Sequence, residues 1–325
     1  MKTKIWLALL ALYTVWGSTY LAIRFTVETI PPFLSAGMRF LVSGAILLIW
    51  RRAAGDALPS PRQWRSTAIV GIFLLLGGNG LVSFAEQYVP SGIAALTLGS
   101  MPLWMVGIEA IRPRGVKPNW LSILGLLIGF GGIFLLVGPA ELTGARQALN
   151  PLGVGALLAA AFLWSVGSIY SRNADIPKSS LMSTGAQMLT GSIALFVVSG
   201  LTGEWNGFSF ANVELNSWLG LSYLIAVGSL IGFVSYGWLL QNAPISLVAT
   251  YAYVNPLVAV FLGAWLADEI LNARILIAGL VIIGSVVLIN QTKSKRTGPK
   301  RKPAQPVVPE PEAGLHDSVD LMEAD

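Results

Sequence analysis

Arg39 is the side chain best placed to do chemistry in this sequence. A guanidinium stays ionised at any physiological pH, and this one stands about two turns inside a long apolar run at 33–51. An arginine at the centre of a membrane helix costs about 3 kcal/mol on insertion scales. Two roles fit it. It attracts a substrate carboxylate, or it snorkels to the outer surface or pairs with an outer acid such as Glu28 or Glu86. The other polar side chains in apolar runs fall into stripes. Asn79, Ser83 and Gln87 repeat at i, i+4, i+8 and share a helix face. Trp16, Tyr20 and Arg24 form a second stripe, and Trp164, Ser168 and Arg172 a third. Phe233 and Tyr236 mark one further run, and Tyr251, Tyr253 and Asn255 another. Polar groups facing lipid are costly, so these faces are expected to look inward. Hydroxyls, amides and rings together suit an uncharged or zwitterionic organic solute. The same groups also serve as interhelical hydrogen bonds and interface belts. Asn79 and Asn255 are the leading candidates, being amides well inside their runs. Pro102 and Pro256 lie inside corresponding runs, where proline removes an N–H and frees a carbonyl one turn back. Matching interruptions of this kind are expected at a translocation site.

Several chemistries are excluded or disfavoured. With no cysteine there is no disulfide or thiolate catalysis, and the only histidine, His316, lies in a polar tail. No acid occupies a clear mid-run position, so proton antiport through a buried carboxylate is not indicated. Glu109, near the inner end of its run, is expected to pair with an inner-loop cation. Ionisable groups within the runs are too sparse for a membrane-embedded enzyme, and no cofactor is expected. Gly125-x-x-x-Gly129 and Gly228-x-x-x-Gly232 permit close helix contact but lack the strand that a nucleotide loop requires.

The elements that must position these residues are membrane helices. The 325-residue chain is 54% hydrophobic and only 11% charged, against about 25% charged in soluble domains. Apolar runs fall at 5–24, 33–51, 66–85, 91–111, 119–137, 151–171, 181–201, 217–240, 245–266 and 273–291. Each is about long enough to cross ~30 Å of hydrocarbon. With the N-terminus inside, 17 of the 21 Lys and Arg residues fall on the inner side, three (Arg24, Arg146, Arg274) on the outer side, and Arg39 within a span. That bias predicts cytoplasmic termini. It also accounts for the net charge of +5 without nucleic acid. Glu28, Glu86, Glu141, Glu204, Glu214, Asp268 and Glu269 fall in outer loops. Residues 292–325 turn from basic to Pro-rich to acidic and are expected to be a disordered cytoplasmic tail.

The chain also repeats. At an offset of 148, Trp16 meets Trp164 and Arg24 meets Arg172. At 154, Gly78 meets Gly232, Gln87 meets Gln241, Pro90 meets Pro244, Ala95 meets Ala249, Pro102 meets Pro256 and Gly125 meets Gly279. Five spans is an odd number, so the second copy enters the bilayer from the opposite side. Inverted repeats around a midplane site are a transporter device.

The segments Trp-Gly-Ser-Thr-Tyr at 16–20, Pro-Pro-Phe at 31–33, Arg39-Phe40, Val-Pro-Ser-Gly-Ile-Ala-Ala-Leu at 89–96 and Tyr-Ala-Tyr-Val-Asn-Pro at 251–256 resemble EamA-type permeases of the drug/metabolite transporter superfamily. The resemblance covers about residues 5–290. It implies an all-α integral membrane protein of ten transmembrane helices in a 5+5 inverted repeat, with repeats at 5–137 and 151–291. It also implies a central cavity lined by the first four helices of each half. An acid shortly after the fourth and ninth helices belongs to the pattern. Glu269 fits that place in the second half, whereas the first half has Gly115 there. The implied function is export or exchange of amino acids, metabolites or drugs across the plasma (inner) membrane. The expected partners are a small-molecule substrate and the lipid bilayer. A non-transporting membrane subunit or sensor is the alternative.

Overall fold

The computed structural model describes residues 2–113, 118–137, 149–172, 174–243 and 251–294. Gly115, Glu141, Arg146, Pro244, Ala249 and the expected disordered tail beyond 294 lie outside the described residues.

Long apolar runs become rods because a helix satisfies every backbone group within the segment. The rods are α1 (Lys2–Thr26), α2 (Pro32–Ala53), α3 (Pro61–Ala85), α4 (Ser91–Ile111), α5 (Trp120–Val137), α6 (Pro151–Ser171) and α7 (Ser180–Leu201). They continue with α8 (Leu215–Tyr223, Leu224–Ile231 and Gly232–Asn242 in succession), α9 (Tyr251–Leu266) and α10 (Ala273–Ser294). Among the described residues there is no strand. Among the described residues, seven helices are long and apolar enough to cross a bilayer, and three apolar stretches, Trp120–Leu136, Val254–Leu266 and Ala273–Leu288, are shorter. Trp50, Trp120, Phe134, Leu201, Trp265 and Leu280 point their apolar side chains outward. This is the surface that lipid would cover.

Helix starts follow local chemistry. Ser60 and Gln63 close a capping box at α3, Asn150 caps α6 before Pro151, and Ser179 caps α7. Helices α3 and α8 each contain a π-helical stretch, Ile72–Gly80 and Leu224–Ile231. In such a stretch hydrogen bonds run five residues back instead of four, which shifts the phase of every later side chain. Helix α4 breaks at Gly99–Ser100 and resumes at Met101, with Pro102 in its first turn. Helix α9 instead runs straight through Pro256.

The packing has a symmetry of exchange. Helix α1 packs on α8 and α9, and α6 packs on α3 and α4; α2 packs on α7, α4 on α9, and α5 on α10. Replacing each helix of one half by its counterpart in the other leaves this set unchanged. Glycines allow the closest approaches. Gly44 and Gly185 sit where α2 and α7 meet, each with the facing helix's backbone within about 3 Å of the place a Cβ would take.

Candidate functional site

Where α1, α2, α3, α4, α6, α8 and α9 meet, they leave a narrow cavity lined by rings, aliphatic side chains and a few polar groups. Both halves build it. Helices α1 to α4 supply Trp16, Thr19, Tyr20, Ile23, Arg39, Gly78, Asn79, Val82, Leu98 and Met101; the second half supplies Trp164, Phe233, Tyr251 and Asn255.

The two tryptophans of the sequence repeat take matching seats. The Trp16 ring lies against Gly232 of α8, and the Trp164 ring lies against Gly78 of α3. In each case the indole occupies the space that a side chain on the other half's glycine would need. Trp16 Nε1 donates to the carbonyl of Gly228 at 3.3 Å, within the π stretch. Around Trp16, the rings of Phe233, Tyr236 and Tyr251 each lie at 5.2 Å between centroids, and Tyr236 and Tyr251 meet edge-on at 5.9 Å. These are tilted and edge-to-face geometries, favoured by ring quadrupoles. They give one wall of the cavity a preformed aromatic surface.

Arg39 is the only charged side chain on the described wall. It is 4% exposed, Nε donates to Ser229 Oγ at 2.9 Å, and its guanidinium carbon lies 4.8 Å from the centroid of the Phe40 ring. Among the described residues it makes no ion pair. Neither pairing with Glu28 or Glu86 nor escape to the outer surface therefore describes its position. Asn79 donates from Nδ2 to the carbonyl of Leu74 at 3.2 Å, five residues back within the π stretch, and lines the wall. Asn255 is 6% exposed, and its Oδ1 accepts no hydrogen bond.

The structure brings together Trp16, Tyr20, Arg39, Asn79, Trp164 and Asn255 of the expected set. Tyr236 stands one ring behind the wall, against Trp16 and Tyr251. Ser83 is buried away from the wall, Ser168 is half-buried on α6, and Pro102 is half-buried in the first turn after the α4 break. Pro256 is buried beside Gly99, at that same break. The side chain of Tyr253 lies outside the described residues. Thr19, Ile23, Gly78, Val82, Leu98 and Met101 were not singled out for this wall, because small and aliphatic residues in apolar runs carry no signal of their own.

On α3 the inward face runs 79, 82, 86, not 79, 83, 87. Gln87 is exposed, and Glu86 is 5% exposed. The sequence stripe stepped in fours and assumed a helix that continued to Gln87. At 3.6 residues per turn the face drifts from Asn79 to 82–83 and 86, and the helix ends at Ala85. Glu109 pairs with Arg112 at 3.5 Å, at the end of α4 expected to be inner.

Above the cavity, on the side expected to be outer, sits a second polar cluster. Glu269 follows α9 and reaches the first turn of α4. Its Oε1 accepts from the Ser91 backbone N–H and from Ser91 Oγ, both at 2.7 Å, its Oε2 accepts from the Gly92 N–H at 2.9 Å, and it is ion-paired to Arg24 of α1. A carboxylate on two first-turn N–H groups also meets the positive end of the helix dipole. Glu204, after α7, does the same for α2, accepting from the N–H groups of Phe33 and Leu34 at 3.1 and 2.8 Å. Arg274 of α10 donates to the last carbonyls of α5, Leu135 at 2.7 Å and Leu136 at 2.8 Å. Three charged residues of the second half thus finish helix ends of the first.

The EamA-like transporter family matches residues 3–138 and 151–291. The chain is 38% identical over 302 residues to the uncharacterized inner membrane transporter YedA of Escherichia coli (strain K12), covering 93% of each chain. It is 25% identical over 295 residues to the uncharacterized transporter YvbV of Bacillus subtilis (strain 168), covering 90% of this chain and 93% of that one. A solved crystal structure superimposes with a TM-score of 0.62 at 22% identity, covering 91% of this chain and 99% of the other; at that identity the likeness speaks to the fold alone.

Proposed function

Because the chain belongs to the EamA-like transporter family, we propose that it is a secondary transporter that exports or exchanges small organic solutes carrying a carboxylate, amino acids and metabolites among them. It holds them in the central cavity, with Arg39 on the carboxylate. The observation that carries this reading is a buried guanidinium on the cavity wall with no anionic partner among the described residues. A buried charge of that kind is costly, and a substrate carboxylate would offset the cost. Asn79 and Asn255 supply the amide contacts, and the rings around Trp16 cover the apolar part of the solute.

The same reading takes the fold as ten membrane helices in two five-helix repeats, 5–137 and 151–291. The exchange symmetry of the packing supports two equivalent halves. An odd number of helices per half makes their orientations opposite, so rocking one half against the other opens the cavity alternately to each side. The Lys and Arg distribution supports cytoplasmic termini, and YedA's name supports placement in the inner membrane.

The test is flux. Full-length protein in liposomes is loaded with a panel of amino acids, other carboxylates and neutral solutes, and efflux is followed by mass spectrometry. Flux confined to carboxylate-bearing solutes is expected, and no flux of any solute from folded protein overturns the proposal. Arg39→Gln should keep normal membrane levels and unchanged or higher thermal stability, while apparent affinity for the carboxylate falls about tenfold or more. That follows from about 1.5–3 kcal/mol for a hydrogen bond to a charged group. Reduced protein levels with unaltered affinity would instead assign Arg39 a packing role.

A further inference from the structure

Glu86 is the first residue beyond α3, yet it is 95% buried by its 5% exposure, and neither carboxylate oxygen accepts a hydrogen bond. It lines an outer depression together with Arg24, Glu28, Gln87 and Pro90. One turn below it, Val82 lines the central cavity. Glu86 therefore stands between the outer depression and the cavity. Its surroundings hold few titratable groups. Helix α1 presents Tyr20 and Arg24, the turn after α9 presents Glu269, and Glu28 follows α1. Tyr88 is exposed on Glu86's own connection. The first turn of α6, which packs on Ala85, Tyr88 and Val89, brings no titratable group. Glu28 is exposed to water, so one guanidinium faces two buried carboxylates, Glu86 and Glu269, and it is bonded to Glu269.

We propose that Glu86 is a proton-binding site that competes with Glu269 for Arg24, so that the proton keeps the outer mouth of the cavity closed and its release opens it. With Glu86 protonated, the three groups are neutral in sum, and Arg24 is free to hold Glu269 and the first turn of α4. Opening the mouth separates α1 from the turn after α9. Arg24 then leaves Glu269 and meets Glu86, whose O–H bond breaks as the proton passes to water in the outer depression. Burial holds the Glu86 pKa well above the usual carboxylate range in the closed form, the Glu269 charge raises it further, and Arg24 acts against both. The sign follows by linkage. The closed form binds the proton more tightly, so raising outer pH through that pKa shifts the population toward the open form. The inference rests on the transport reading only in treating the mouth as a gate.

The chain has no cysteine, so Val82→Cys places a single thiol just beneath Glu86. In right-side-out vesicles carrying the full chain, a membrane-impermeant thiol reagent is added outside over a pH series. Rates are divided by those of Asn212→Cys, on an exposed outer connection, to remove the thiol's own titration. The normalised Val82→Cys rate is expected to rise severalfold with pH along a single-proton curve. Adding Glu86→Gln should leave it slow and flat, and adding Glu86→Asp should keep the curve with a displaced midpoint. Infrared titration of the otherwise unmodified protein should show a protonated carboxyl band persisting above the usual carboxylate range. A pH response that survives Glu86→Gln, a flat response in the Val82→Cys parent, or no such band overturns the proposal. These readouts need no substrate, so a failed proton site with intact flux and a pH-gated mouth without flux are separate results.

Discussion

Glu269→Ala is expected to lower the unfolding free energy of the detergent-solubilised protein by about 2–4 kcal/mol. Removing one partner of a buried ion pair costs roughly 3–5 kcal/mol, and a buried N–H left without an acceptor costs about 1–3 kcal/mol. The Arg24 side chain is 32% exposed, and water partly replaces its lost partner, which brings the sum down. Ser91 and Gly92 are buried, and their N–H groups have no such recourse. Hydrogen exchange locates the damage: the first turn of α4 should lose protection, while the capped start of α2, held by Glu204, should not. Glu269→Gln should fall between wild type and Ala, since an amide oxygen can still accept one N–H. If Arg24 turns to Glu86 once Glu269 is gone, adding Glu86→Gln to Glu269→Ala should cost more than the two single losses together. Unchanged stability in Glu269→Ala would mean that the cluster does not hold these ends of α1, α4 and α9 together.

The paired tryptophans show what was legible in the sequence and why. Trp16 and Trp164 align at one offset, Gly78 and Gly232 at another, and the structure seats each tryptophan on the other half's glycine. Large and small residues at fixed offsets are a signal that survives weak similarity, because the contact needs both. The Arg39 position in the second run was equally plain, while its burial and hydrogen bond to Ser229 depended on a helix 190 residues away. Glu86 was misread as an ordinary loop acid. Counting from Asn79 in steps of four selects Ser83 and Gln87, whereas 3.6 residues per turn already drift to Glu86 by the second turn. Glu269 stood where the family resemblance put an acid. Its partners Ser91, Gly92 and Arg24 come from the other half, and no local pattern names them. Periodicity reports which residues share a face, but cross-half contacts need the fold.

Gly232→Val is expected to destabilise the protein by about 1–3 kcal/mol and to shrink the cavity, because a side chain there must displace Trp16. A Cβ at Gly232 would lie 2.7 Å from Trp16 Cδ1, with further overlap at Nε1, and overpacking of a well-filled interior costs that much. The indole has little room to retreat, since Phe233, Tyr236 and Tyr251 surround it at 5.2 Å. Its remaining path is into the cavity, which would narrow the solute space between Trp16 and Trp164 and slow flux as well as lower the thermal midpoint. Gly78→Val should act likewise through Trp164. The discriminating variant is the double replacement Gly232→Val with Trp16→Ala. If the clash is the cause, shrinking the ring should restore most of the stability that Gly232→Val removes, so the two changes should couple favourably by at least about 1 kcal/mol. It should not restore flux, because the Trp16 wall would be missing. Simple additivity of the two stability losses would detach the glycine from the tryptophan, and with it the matched seating on which the equivalence of the halves depends.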